Sequence, residues 1–171
     1  MKTILSFAVF VWGVGVAQAQ SVLPFSLPWM NGPTPNAVYN TADHPGSIVI
    51  IEAYFDACPF CNKNESNIND LGKVFASNPH VQLLDIGVDQ DAGSYQDWIQ
   101  NHHPNHPVLE DGNESVIGQL GTSGFPSTYI LNEAGKVVFQ HSGVFGSDTR
   151  NEIVRTVQKM LSHSLEVSAK P

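Results

Sequence analysis

Residues 47–55 (SIVIIEAYF) are almost continuously apolar and β-branched at their start. A short run of this kind, without alternation, predicts a strand buried on both faces and therefore central in a sheet. Beyond it Ile68, Leu71, Val74 and Phe75 recur at helical spacing, and Asn78-Pro79 ends that helix. Residues 81–88 (VQLLDIGV) read as the next strand, which makes strand, helix and strand a right-handed parallel βαβ unit. Residues 94–101 predict a short helix. A His- and Pro-rich loop follows, then an extended piece at 107–109 and one or two helical turns at 116–120. The apolar residues 127–131, a turn at 132–136 and residues 137–141 predict an antiparallel hairpin. A last helix begins near Asp148 or Thr149, with Thr149 and Glu152 as a capping box and Ile153, Val157, Met160 and Leu161 as its buried stripe. The pattern describes an α/β chain whose central mixed sheet carries helices on both faces.

The ends and the charge narrow this picture. Lys2, an apolar stretch at 3–16 and Ala17-Gln18-Ala19 have the layout of a cleavable signal peptide, so residues 1–19 are expected to be removed and Gln20 to begin the mature chain outside the reducing cytosol. No later stretch reaches the roughly 20 apolar residues of a membrane span, and no stable span is expected after cleavage. Residues 20–171, about 150 in number, suit one domain. Its Pro-rich lead-in, 20–46, holds Pro24, Pro28, Pro33, Pro35 and Pro45 and reads as irregular. A net charge of −8 with eight Lys and Arg offers no basic face to nucleic acid or acidic lipid, so proteins or small thiols are the expected partners of a monomer.

The chemistry concentrates at Cys58-Pro59-Phe60-Cys61, which holds both cysteines of the chain and sits where the central strand gives way to a helix. Unpaired N–H groups and the positive end of the helix dipole stabilise a thiolate at Cys58, which is expected to be exposed. Cys61, one turn on, is placed to resolve mixed disulfides. Half of a zinc site and an inert structural bridge are the other readings of such a pair. The zinc site would need histidines or carboxylates for its remaining ligands.

With these motifs placed, the chain resembles the thioredoxin superfamily and, more narrowly, its periplasmic TlpA/ResA/DsbE-like branch. The likeness runs over residues 24–161. It rests on Cys58-Pro59-Phe60-Cys61 after a buried strand, Gly124-Phe125-Pro126-Ser127-Thr128 before another, the hairpin ending Gly135-Lys136-Val137-Val138, and Gly143. The resemblance implies a thioredoxin fold with a TlpA-like central insertion at 93–109. It also implies a periplasmic thiol–disulfide oxidoreductase with protein substrates and a redox partner protein, a role in cytochrome c maturation by extension, and no cofactor. It implies a cis bond at Phe125-Pro126, with Pro126 against the disulfide and the backbone of Phe125 pairing with substrate. Pro59, Phe60 and Phe125 are the expected substrate-facing residues. Glu52, in the middle of the buried strand, stands where thioredoxins carry a buried acid, and desolvation there raises a carboxyl toward neutrality so that it can exchange a proton with Cys61.

Two departures bear on this reading. Ala57 replaces the tryptophan that usually precedes the first cysteine, and Pro59 resembles the oxidising or isomerising DsbA/DsbC/DsbG group. Asp56, Glu52 and Glu65 instead oppose thiolate formation and favour a reductant, which is the expected direction; an oxidant or isomerase is the alternative. A non-catalytic metal-binding module is a further alternative, because His102, His103 and His106 lie within five residues. No metal ligand is otherwise expected. Copper-delivery proteins of the SCO type space their cysteines three residues apart, not two. Peroxidase chemistry wants Thr or Ser where Phe55 stands and an arginine at the thiol, whereas Arg150 and Arg155 fall on the last helix.

Overall fold

A computed structural model describes residues 21–168, with side chains through residue 164. The expected signal segment lies outside the described residues. Seven strands and three helices run β1 (Ser26–Pro28), β2 (Val38–Asn40), β3 (Ile48–Tyr54), α1 (Pro59–Phe75), β4 (Val81–Gly87), α2 (Ala92–His102), β5 (Val108–Glu110), β6 (Ser127–Leu131), β7 (Val137–Ser142) and α3 (Ser147–Ser168).

The main sheet has the order β5-β4-β3-β6-β7. β3 pairs in parallel with β4 and antiparallel with β6, so every residue of Ile48–Tyr54 is buried, as its apolar run requires. β4 and β5 are parallel, while β6 and β7 form the expected hairpin. On one face Ile48 and Ile50 meet Ile68, Leu71 and Phe75 of α1 and Ile153 and Val157 of α3. Val74 was expected in that stripe but is 51% exposed, because a 3.6-residue period sets it about 90° from the stripe's centre.

On the other face Val49, Ile51, Ala53, Leu84 and Ile86 pack against Val22, Leu27, Tyr39, Val116, Ile117 and Leu120. Part of this cover is helical turns at 114–121, where Gly118 N–H donates to Glu114 O and Leu120 N–H to Val116 O. Buried Asp111 nucleates them, its carboxylate accepting from the N–H groups of Ser115, Val116 and Ile117 and from Ser115 Oγ. The rest comes from the lead-in, which is less irregular than its prolines suggest. β1 and β2 pair antiparallel, and Trp29 bridges Leu109 on the β5 edge. Three-residue strands with one inward side chain each, Leu27 and Tyr39, are too short to leave an alternating signal.

α3 begins at Ser147, which places Thr149 inside the helix. The expected Thr149–Glu152 capping box does not form; the first turn instead closes with Arg150 N–H on Gly146 O.

Candidate active site

Cys58 caps α1. Its backbone is extended (φ −78°, ψ 111°), its Sγ accepts the Cys61 N–H at 3.1 Å, and Pro59 occupies the first helical turn, where a missing N–H costs nothing. Cys58 and Cys61 are joined in a disulfide with Cα atoms 5.2 Å apart. The turn is pinned by a residue the sequence reading passed over. Asn62 Nδ2 donates to Asp56 O (2.7 Å) and Cys58 O (2.9 Å), and Asn62 Oδ1 meets His102 Nε2 at 2.8 Å.

The leading cysteine is not exposed as expected. Cys58 is 3% and Cys61 1% exposed, inside a cluster with Tyr54, Tyr95, Trp98 and Val108 to which Met30, Phe55 and Phe125 add. Phe55 and Phe125 meet edge to face at 5.5 Å and supply the aromatic rim that Ala57 does not. Pro59 and Phe60 face outward, Phe60 at 64% exposure. Phe125-Pro126 is a cis peptide, and Pro126 O accepts the Gly143 N–H at 2.8 Å.

Glu52 is buried at 2% exposure in the middle of the central strand β3, away from any sheet edge. Its Oε1 accepts from Asn64 Nδ2 (2.8 Å) on α1 and its Oε2 from Thr128 Oγ1 (2.6 Å) on β6. Burial pushes its carboxyl up to about 8 against the lowering effect of those two donors, with Asp85 adding a smaller push. Asn64 Oδ1 also accepts from Phe145 N–H (3.1 Å), so one amide ties the acid to the segment before α3. Asp56 is raised by burial and then by Asp89 and Asp97, and its N–H donates to Asp89 Oδ2.

The three loop histidines do not converge. His102 meets Trp98 with its ring tilted by 50° and bonds Asn62; His103 is exposed and left-handed (φ 49°) at the end of α2. His106 turns inward to Glu65 and Asp85, a grouping for which the sequence offered Glu65 and His106 separately and Asp85 not at all. Burial also holds the Glu65 carboxyl well above its ordinary range. Arg150 lies 3.3 Å from Asp70 on α1.

A β3–α1–β4 unit extended by the β6–β7 hairpin and α3, with a Cys-x-x-Cys disulfide at the start of α1 and a cis-proline before β6, defines a thioredoxin-fold protein. Residues 19–140 match the AhpC/TSA family, and the chain belongs to that family. It is 21% identical over 118 residues to the thiol-disulfide oxidoreductase ResA of Bacillus anthracis, covering 69% of this chain and 66% of ResA. The chain thus spans slightly less than two thirds of that relative. Among solved structures it is similar to a thiol:disulfide interchange protein DsbE from Chlorobium tepidum (TM-score 0.70, 19% identity, 82% of this chain and 95% of that one). It is also similar to the thioredoxin domain of a thiol-disulfide oxidoreductase from Bacteroides vulgatus (TM-score 0.68, 16% identity, 83% and 99%).

Proposed function

We propose that the protein is a thiol–disulfide oxidoreductase that exchanges the Cys58–Cys61 couple with protein substrates, outside the cytosol and as a reductant. The observation that carries this reading is Cys58 at the cap of α1, its sulfur already accepting the Cys61 N–H. In the reduced state that donor and the helix N-terminus stabilise the Cys58 thiolate. The thiolate attacks a substrate disulfide, an S–S bond forms between Cys58 and one substrate sulfur, and the other substrate sulfur leaves as a thiolate and takes a proton. Cys61 then loses its proton to the Glu52 carboxylate and attacks Cys58. The Cys58–Cys61 bond closes, the second substrate thiolate departs, and two electrons have passed to the substrate.

Cys58, Cys61, Glu52 and Pro126 are the proposed catalytic set, with Pro59, Phe60 and the backbone of Phe125 meeting the substrate strand. Residues 93–109, which supply most of α2 and all but the last residue of β5, stand as the proposed TlpA-like insertion. The acids Asp56 and Asp89 beside the turn support the reducing direction, because negative charge disfavours a thiolate. A redox partner protein would resupply electrons.

Pro59 supports an oxidant or isomerase as the second reading, and the reduction potential decides between them. Equilibration with dithiothreitol buffers to about −270 mV, thioredoxin's value, supports a reductant, and about −120 mV, DsbA's value, supports an oxidant. Cys58→Ser is expected to abolish turnover and Cys61→Ser to accumulate a mixed disulfide visible on non-reducing gels. Small and equal effects of the two substitutions would refute the mechanism.

A further inference from the structure

The exchange reaction leaves one buried cluster unused. Glu65, one turn beyond Cys61 on α1, Asp85 in β4 and His106 just before β5 are 1%, 0% and 7% exposed. A carboxylate oxygen from each acid and a ring nitrogen of His106 all lie within 4.8 Å of one another. His106 Nε2 is 3.0 Å from Asp85 Oδ1 and 3.8 Å from Glu65 Oε1. Yet Nε2, Asp85 Oδ1 and both oxygens of Glu65 have no hydrogen-bond partner among the described residues.

The hydrogen bonds of Asn105 orient the ring. Asn105 Nδ2 donates to Asn69 O at 2.9 Å, which turns Asn105 Oδ1 toward His106 Nδ1 at 3.0 Å. An amide oxygen only accepts, so Nδ1 carries a proton and donates to it, and Nε2 is aimed at the two carboxylates. Polar atoms buried without a hydrogen-bond partner have lost their solvation with nothing in exchange. A cation between them removes that cost.

We propose that Glu65, Asp85 and His106 bind one divalent transition-metal ion of the zinc class. Two carboxylates cancel its charge, and one imidazole nitrogen with two carboxylate oxygens is a borderline donor set that suits zinc, cobalt or manganese and not calcium. The outer partners of such a site are in place: Trp98 Nε1 donates to Asp85 Oδ2 at 3.1 Å, and Asn105 orients the ring. A cavity of about 500 Å³ bordered by Gly72, Phe75, Asn105 and Pro107 has His106 in its wall. The ion would fasten the active-site helix to β4 and to the loop before β5.

The test uses untagged protein with the disulfide intact, so that Cys58 and Cys61 cannot ligate, stripped with EDTA and desalted. Titration with Zn²⁺ in a calorimeter is expected to show one equivalent per chain and a melting temperature that rises with Zn²⁺. Glu65→Gln and His106→Gln are expected to weaken binding about 100-fold or more, while the double variant His102→Gln/His103→Gln binds as the parent does. Co²⁺ added to the parent protein is expected to shift the NMR signals of the His106 ring and the Trp98 indole N–H, a readout that needs no variant to fold. The proposal is overturned by no uptake, by uptake undiminished in both Gln variants, by Co²⁺ shifts centred on His102 and His103, or by ¹⁵N signals showing both His106 ring nitrogens protonated with and without Zn²⁺. Dithiol exchange is assayed separately on the EDTA-treated protein, so either idea can fail alone.

Discussion

Glu52 shows what one buried acid does to the molecule's response to pH. Asp85 from β4 pushes its carboxyl up and Glu52 in turn acts on Glu65 of α1, while Asn64 and Thr128 bond it directly. Its folded value of about 8 lies above the unfolded 4.5, so the native chain holds this proton more tightly than the unfolded chain does. Stability is therefore lost as pH rises from about 4.5 to about 8, at about 1.4 kcal/mol per unit for a full shift. Melting curves of EDTA-treated, oxidised protein should fall in Tm across that window, and Glu52→Gln should flatten the slope; an unchanged slope would show that Glu52 does not carry it. The acid itself was legible, because a lone glutamate in SIVIIEAYF has no solvated side to face. Asp85 was not, because one acid in VQLLDIGV carries no sign that Trp98 and His106 reach it from other elements. Nor could the sequence show that Cys58 is covered, since Met30, Phe55 and Phe125 arrive from three separate segments.

Elements came through where they are long and periodic. β3, β4 and β6 were placed within a residue or two, because each is an apolar run that is buried almost throughout, and β7 followed from the turn before it. What escaped were short devices held by single side chains: the Leu27 and Tyr39 pair of the lead-in and the Asp111 cap. Asp111→Ala strands the N–H groups of Val116 and Ile117 in the core and should cost about 2 kcal/mol. Hydrogen exchange should report it as faster opening of 115–121, ahead of the main sheet. Gly72 makes the same point from α1. A methyl there would collide with Asn105 Oδ1, and Asn105 cannot yield, because its N–H and Nδ2 are both committed to Asn69. Gly72→Ala should therefore lower stability by about 1–3 kcal/mol despite alanine's better helix propensity; a higher Tm would mean that the 104–107 loop moves freely.

At the scale of the molecule, the lead-in covers part of one face of the core. Val22, Leu27 and Tyr39 close the face of β3 and β4 opposite α1, and Trp29 occupies the edge of β5. A chain begun at Ser47 should bind a hydrophobic dye and lose its cooperative thermal transition, whereas one begun at Ser21 should melt sharply. A sharp transition in the shorter chain would show that the hairpin is only decoration.

The covered disulfide has a meaning for selectivity. A sulfur attacking Cys58 must come in along the S–S axis, and Phe55, Phe125 and Met30 pack against the cluster in which that cysteine is buried. Small thiols would therefore meet a kinetic barrier whatever their driving force, while a partner that docks across Phe60 and Phe125 could part the rim as it binds. Insulation of this kind lets a redox couple stay out of equilibrium with the thiols dissolved around it and answer only to a protein that fits.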